Sequence, residues 1–154
     1  MTNLTQKEKY LLQDQKSHEE LCIKKYNNHA SKAKDPQLKQ LFLSLGQQEQ
    51  QHLNTINQIL NGQVPNMNQS SQQNMQNIQN QFSTPSNMKH ESDKDLCTDL
   101  LATEKYVSST YDTSIFEFKD HNIRQALNHI QKEEQEHGEA IFKYMEAHGM
   151  YNLQ

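Results

Sequence analysis

A glutamate and a histidine stand three positions apart at two places in this sequence. The first pair is Glu49 and His52, and the second pair, Glu134 and His137, follows 85 residues later. On an α-helix, residues three positions apart lie on one face, so each pair directs an oxygen and a nitrogen donor the same way. One such pair on a polar helix carries little information, but two copies with equal spacing indicate a shared chemical role.

Each pair has a matching glutamate in the helical segment before it. Glu19 precedes the predicted turn at Asp35 by about the distance at which Glu49 follows that turn, and Glu104 stands in the same relation to the turn at Asp120. In a helical hairpin, residues equally far from the turn lie at one level of the bundle. The six side chains are therefore expected to converge in one layer.

The chemistry predicted for this layer is the binding of two metal ions. Glu19 shares its helical stripe with Cys22 and Tyr26, which points it inward. Carboxylates buried together repel one another and lose hydration, and metal ions relieve both costs. One Glu from each of two helices, with Glu-x-x-His from each of the other two, is the di-iron or di-manganese carboxylate pattern. The predicted ligands of the two Fe or Mn ions are Glu19, Glu49, His52, Glu104, Glu134 and His137, of which Glu49 and Glu134 would bridge.

The same six residues are also compatible with two roles that need no metal. They could be duplicated surface residues of a Glu- and Gln-rich chain, or a buried polar network. Tyr26 and Tyr111 are expected either to pack in the core or to donate hydrogen bonds to the site, and Asp14 and Asp99 either to orient the histidines or to lie at the surface. Cys22 is expected to be a small buried residue, with a redox role as the alternative. The remaining histidines are expected at the surface: His18, His29, His90, His121, His129 and His148.

Composition excludes several classes of protein. Of the 154 residues, 32% are hydrophobic, and the mean hydropathy of -1.06 suits long helices that each bury one stripe. No apolar run is long enough for a membrane span, and the N-terminus lacks the apolar segment of a signal peptide, so synthesis in the cytoplasm is expected. A net charge of -4 argues against a nucleic-acid partner. Cys22 and Cys97 are too few for a disulfide framework, although a single bridge between them stays open.

The chain divides into two similar halves and a different connecting segment. Residues 5–61 are predicted to form one helical hairpin and residues 94–148 a second, related to the first by the constant offset of 85. In residues 62–93, 13 of 32 positions are Gln or Asn, which predicts a partly disordered linker that could also pair as β structure and promote self-association. So long a connection favours a crossover, so the predicted fold is an all-α, ferritin-like four-helix bundle.

Local signals place the ends of the predicted helices. The sequence TQKE from Thr5 is a capping box, and Asp35 is an expected N-cap with Pro36 at the first helical position. Gly62 is expected to end the second helix, and Ser92 to cap the first helix of the second hairpin.

The sequence also resembles the coat F family of bacterial spore coat proteins. The resemblance lies in DLLATEKYVSSTYDTSI (99–115), in EEQEHGEAIFKYMEAHGMYN (133–152) and in the segment 11–42. It implies a ferritin-like fold, a place in or beside the spore coat or forespore, and other coat proteins or further copies of the chain as partners. The family is not tied to one reaction, so the resemblance does not by itself imply a metal.

Two functions follow from these observations. The first is a spore coat component whose ferritin-like bundle holds a di-iron or di-manganese centre. The second is a di-metal oxidoreductase with peroxidase, catalase-like or ferroxidase activity, in which the metal pair changes oxidation state. A fold alone does not decide between them, because function resides in the site.

Overall fold

A computed structural model describes residues 3–65, 71–82 and 90–151, and within these ranges all regular structure is helical. Four long helices form two hairpins, and a short helix lies between them in the chain. In the described ranges, no helix has an apolar stretch sufficient to cross a bilayer. The helices are α1 (Gln6–Lys32), α2 (Pro36–Leu60), α3 (Ser71–Gln81), α4 (Glu91–Glu117) and α5 (His121–Ala147).

The first hairpin begins and turns as its caps predict. Thr5 Oγ1 accepts a hydrogen bond from the Glu8 backbone N–H at 3.1 Å, and Glu8 Oε2 accepts one from the Thr5 N–H at 2.7 Å, which completes the capping box. Asp35 caps α2 by accepting from the Gln37 N–H at 2.9 Å, with Pro36 in the first turn.

The other predicted helix ends are confirmed at one position and wrong at another. Gly62 follows α2 with a φ of 82°, the left-handed conformation that glycine adopts without strain. Ser92, however, is not the cap of α4. That helix already begins at Glu91, and His90 occupies the cap position without a side-chain hydrogen bond.

Each hairpin closes the turn of the other hairpin through a buried carboxylate. Glu8, near the start of α1, accepts a hydrogen bond from the Lys119 N–H at 3.1 Å. Asp93, its equivalent near the start of α4, accepts from the backbone N–H groups of Lys34 and Asp35 at 2.9 and 3.0 Å. Because the start of each helix meets the turn that follows the other, α1 and α4 run antiparallel.

This arrangement makes the connection between the hairpins a crossover. The end of α2 and the start of α4 lie at opposite ends of the bundle, since α2 returns to the level at which α1 began. The chain between them must therefore run the length of the bundle, which is the topology of a ferritin-like four-helix bundle. The predicted fold class is confirmed.

The Gln- and Asn-rich connection contains a helix where disorder or β pairing was expected. Helix α3 lies against α5. Met75 and Phe82 are buried in the core, and Gln79 Nε2 donates to the Glu136 carbonyl at 3.1 Å. Burial of these apolar side chains provides the tertiary stabilisation that so short a helix requires. Residues 66–70 and 83–89 of the predicted linker lie outside the described residues.

The core consists of two apolar clusters, which meet at the level of the candidate site. On α2, Glu49 and His52 lie between Leu45 of one cluster and Ile56 of the other. On α5, Glu134 and His137 likewise fall between residues of the two clusters, Ile130 on one side and Ile141 on the other. Among the described residues, these side chains therefore form a polar layer between the two apolar clusters.

Candidate metal centre

The six residues singled out from the sequence meet in one buried layer. Each of the four long helices contributes to it, and every one of the six is at most 2% exposed. Their oxygen and nitrogen atoms form two overlapping groups, in each of which all the atoms lie within 4.8 Å of one another. Glu49 and Glu134 belong to both groups. The first group is Glu19, Glu49, His52 and Glu134, and the second is Glu49, Glu104, Glu134 and His137.

The two histidines, His52 and His137, each contact a glutamate of the other hairpin. His52 Nδ1 on α2 lies 2.6 Å from Glu134 Oε1 on α5, and His137 Nδ1 on α5 lies 2.7 Å from Glu49 Oε1 on α2. The two rings are stacked, with 5.5 Å between their centroids and 15° between their planes. Both Nδ1 atoms therefore face the carboxylates, and both Nε2 atoms point away from them.

Several carboxylate oxygens in this layer have no hydrogen-bond donor. One oxygen each of Glu19, Glu49 and Glu104, and both oxygens of Glu134, are buried without a hydrogen bond of normal geometry, although His52 Nδ1 lies 2.6 Å from Glu134 Oε1. A buried polar atom without a partner costs about 1–3 kcal/mol, and more when it is charged. Oxygens left open and directed at one another are suited to a cation, so the residues present fit a metal centre.

Protons compensate part of the negative charge when no metal is bound. Burial, together with the charges of Glu19 and Glu104, raises the pKa of Glu49 well above its usual value. The pKa of Glu134 is raised in the same way by burial and by Glu104 and Glu49. Burial therefore favours the neutral, protonated form of these two shared carboxyl groups, which lowers the negative charge of the layer.

The pKa values of the two outer glutamates, Glu19 and Glu104, and of the two histidines are shifted in the direction opposite to the one that burial alone would give. Burial raises the pKa of Glu104, but the hydrogen bond with Glu134 and the charge of His137 outweigh burial and bring that pKa to about 2. The pKa of Glu19 is lowered similarly, by its hydrogen bond with Glu49 and by the charge of His52. The histidine pKa values are raised, despite burial, by Glu19 and Glu104. These shifts favour ionised outer glutamates and protonated histidines in the metal-free layer.

The two tyrosines are both core residues and hydrogen-bond donors to the site. Tyr111 on α4 donates to Glu19 Oε1 on α1 at 2.6 Å, and Tyr26 on α1 donates to Glu104 Oε1 on α4. Both phenols are at most 1% exposed, and burial raises the pKa of each well above its usual value. They remain protonated donors that hold one oxygen of each outer glutamate and leave its second oxygen free.

Sequence reasoning missed Glu133, which supports His52 from outside the layer. His52 Nε2 lies 3.3 Å from Glu133 Oε1, and the same oxygen lies 2.8 Å from His129 Nε2. The residue equivalent to Glu133 in the first hairpin is Gln48, so the repeat gave no sign of it. The only available signal was the spacing of His129 and Glu133, four residues apart on one helix.

The aspartates that could have oriented the histidines lie elsewhere. Asp14 is exposed, and Asp99 forms surface ion pairs with Lys25 at 3.0 Å and His29 at 2.8 Å. Of the two alternatives left open for this pair, surface charge is therefore the correct one. A ligating histidine in a metal site commonly donates its second N–H to a carboxylate, and Glu133 takes that position here for one of the two rings.

The two cysteines form no disulfide bridge. Cys22 and Cys97 are free, buried and in different apolar clusters, and burial raises both of their pKa values, so neither forms a disulfide or a thiolate.

The prediction that His148 lies at the surface is wrong. His148 is 3% exposed, stacks on Tyr144 and lies 3.6 Å from Asp35 at the end of the bundle.

A cavity connects the layer to the surface between α4 and α5. It has a volume of about 280 Å³, and its lining includes the exposed residues Lys105 and Gln135 as well as the buried carboxylates Glu104 and Glu134. Ser108 and Gly138 form part of its wall. Two members of the second group, Glu104 and Glu134, therefore border a cavity that opens toward the surface.

The fold and the site together define a ferritin-like bundle with a buried carboxylate–histidine layer. The sequence profile of the Coat F domain matches residues 92–154. Over 88 residues the chain is 32% identical to the uncharacterized protein YusN of Bacillus subtilis (strain 168), an alignment that covers 57% of this chain and 76% of YusN. The chain belongs to the Coat F family. No solved structure matches it significantly.

Proposed function

We propose that this Coat F protein binds two iron or manganese ions in the buried layer. Glu49 and Glu134 would bridge the ions, because each belongs to both groups of converging atoms. Glu19 with His52 would complete one position, and Glu104 with His137 the other. The observation that supports this most directly is the set of buried carboxylate oxygens that no donor satisfies.

Charge balance favours metal over a purely polar network. Four ionised glutamates and two neutral histidines match the charge of two divalent cations. Without metal, the layer must keep two carboxyl groups neutral and two imidazoles charged in an apolar interior, which burial opposes for the imidazoles. Two ions would replace those protons and satisfy the open oxygens at the same time.

The donor set narrows the identity of the metal. Neither group of converging atoms contains a sulfur ligand, although Cys22 lies one turn from Glu19. Carboxylates combined with imidazoles suit Fe and Mn, whereas thiolates would favour zinc or copper(I). Two such metal ions supply reversible one-electron chemistry when they are bound.

The biological setting we propose is the spore coat or the forespore surface, with other coat proteins or further copies of this chain as partners. Membership of the Coat F family supports this setting. A fluorescent fusion followed through sporulation in a spore-forming bacterium tests it. A ring of fluorescence around the forespore is expected, and diffuse fluorescence in the mother cell would contradict it.

A second function, a di-metal oxidoreductase acting on peroxide or dioxygen, is supported by the cavity. A centre that only stabilises the bundle needs no access from outside, but the cavity between α4 and α5 reaches Glu104 and Glu134. Peroxidase, catalase-like and ferroxidase assays on metal-loaded protein separate this function from a structural one.

The metal proposal is tested by mass spectrometry of untagged protein loaded separately with Fe(II) and Mn(II). About two ions per chain are expected, with none in the E49Q/E134Q variant. Because burial favours the protonated form of Glu49 and Glu134 in the metal-free protein, glutamine resembles that form, and the variant should fold normally. The matched control is E20Q/E139Q, which changes two exposed glutamates on α1 and α5. Retention of both ions by E49Q/E134Q would refute the assignment of ligands.

A further inference from the structure

The two halves of the bundle differ at the positions that would cover the site. The cavity wall includes Ser108 on α4 and Gly138 on α5. At the equivalent positions of the first hairpin stand Ile23 on α1 and Leu53 on α2, both half-buried. The larger side chains have the volume to fill the space that serine and glycine leave open. The repeat therefore places small residues on one side of the site and large ones on the other.

Gly138 is not required by the backbone or by crowding. It lies inside α5 with ordinary helical geometry, and only Gly62 and Gly149 among the described residues have a positive φ. A Cβ atom at Gly138 would meet Leu101 Cδ1 at 3.6 Å, which is an ordinary contact. Glycine is among the least favourable residues in a helix interior. The absence of a side chain at Gly138 leaves the space beyond the Cβ position open.

That space lies over a buried carboxylate of the site. Side chains on a helix lean toward its N-terminus, so a long side chain at Gly138 would extend over the preceding turn, which carries Glu134 and Gln135. These two residues line the same cavity. A side chain as large as leucine at this position would therefore fill the part of the cavity that borders Glu134.

We propose that small molecules reach the metal centre from one side only, through the cavity between α4 and α5 whose wall Gly138 and Ser108 keep open. This proposal rests on the proposed function, since it concerns the access to that centre. The open coordination positions then lie beside Glu104 and Glu134. On the side of the first hairpin, the half-buried side chains of Ile23 and Leu53 would occupy the equivalent space.

The size and lining of the cavity define the class of molecule admitted. Its volume of about 280 Å³ is near the lower end of the roughly 300–1,000 Å³ typical of small-molecule sites, so it has room for molecules of a few non-hydrogen atoms. The carboxylates Glu104 and Glu134 line its inner end, and the cationic side chain of Lys105 lies at its outer end. Small polar or anionic molecules, of the size of peroxide or azide, fit this description.

The test uses azide as the probe, because its binding to iron(III) produces a charge-transfer band that reports association without any turnover. Four full-length proteins are loaded with iron, oxidised and mixed with azide in a stopped-flow instrument: wild type, G138A, G138L and S108I. G138A adds only the Cβ atom that the structure accommodates, and it controls for the loss of glycine. S108I introduces, from the other wall, the residue found at the equivalent position of the first hairpin.

With the iron content of each protein measured first, azide association should be at least 10-fold slower in G138L and S108I than in wild type and G138A. Equal rates in all four iron-loaded proteins would overturn the one-sided route while leaving the metal centre intact. If G138L does not load iron, S108I alone decides in the same way. Absence of iron from the wild-type protein would contradict the proposed function itself, and this route with it.

Discussion

Tyr111 on α4 donates a hydrogen bond to Glu19 on α1 with 2.6 Å between the two oxygens, and Tyr26 on α1 makes the same contact with Glu104 on α4. Each hairpin thus holds a glutamate of the other hairpin in place. In both contacts the phenol occupies one carboxylate oxygen, and the other oxygen is left buried without a donor. The tyrosines therefore orient the outer glutamates toward the interior of the layer.

Replacing Tyr111 with phenylalanine should weaken metal binding without abolishing it. Y111F removes a donor to Glu19 but none of the proposed ligands, and loss of such outer partners typically lowers metal affinity about 10- to 100-fold. The stability of the metal-free protein should fall by about 1.5–3 kcal/mol, since a hydrogen bond to a charged group is lost. Calorimetric metal titration and urea unfolding measure the two effects.

The control for this change is Y106F, which removes the hydroxyl of a tyrosine on the same helix that is 59% exposed. Y106F should leave both quantities unchanged. Wild-type affinity in Y111F would show that the phenol serves only packing.

Removing the charge of Glu133 should affect one ion more than the other. Glu133 lies beside His52 Nε2 at 3.3 Å, whereas the His137 Nε2 atom has no hydrogen-bond partner. E133Q should therefore lower the affinity of the position that includes His52, by about 10- to 100-fold, and leave the second position near its wild-type affinity. A titration that resolves two binding steps measures this.

E139Q on the exposed side of α5 provides the comparison for E133Q. An equal loss at both binding steps, or no loss at either, would show that Glu133 does not act through His52.

Metal affinity should increase with pH. The pKa values of Glu49, Glu134, His52 and His137 are all raised in the metal-free layer, so these groups carry protons that a cation must displace. Below the raised pKa values, each of the four releases one proton on binding, and affinity falls as the pH is lowered. Above them no proton needs to leave, and the dependence levels off.

Proton release can be measured directly by adding Mn(II) to weakly buffered protein near pH 6 and titrating back the acid produced. Proton release on binding is expected, up to about four protons per two bound ions. An affinity that does not vary between pH 5 and 8 would mean that these groups are not the ligands.

Asp93 should be important for stability although it is remote from the site. It is fully buried and accepts hydrogen bonds from the backbone N–H groups of Lys34 and Asp35. D93N keeps the shape but replaces one carboxylate oxygen with a donor, which faces one of these N–H groups. Unfolding free energy should fall by about 1.5–3 kcal/mol. D95N, on an exposed position in the same turn of α4, should change it by less than about 0.5 kcal/mol.

The buried carboxylate–histidine layer could be predicted from the sequence because duplication supplied an internal comparison. Glu49 and His52 gain meaning only when Glu134 and His137 repeat their spacing and when Glu19 and Glu104 recur at the same depth. The four-helix bundle followed from the same repeat, together with the length of the connection. Spacing along a helix is a local property, so it can be read from the sequence without knowledge of the contacts between helices.

The features that the sequence did not reveal depend on contacts between helices. Glu133 touches His52 only because α2 packs on α5, and its equivalent Gln48 broke the repeat. His148 is buried because the chain end folds against Tyr144, and α3 is stable because Met75 reaches the core. The periodicity of a single helical segment does not predict such contacts between helices.

The reciprocal contacts of Glu8 and Asp93 have a consequence for the history and behaviour of the molecule. Two identical copies of one hairpin would meet through the same pair of contacts, so the bundle has the form of a symmetric dimer joined into one chain. Joining removes the dependence of assembly on protein concentration. It also lets the halves change separately, because in a homodimer every substitution appears twice. Only a fused chain can have different residues at equivalent positions of its two hairpins. Glu133 is equivalent to Gln48, and Gly138 is equivalent to Leu53.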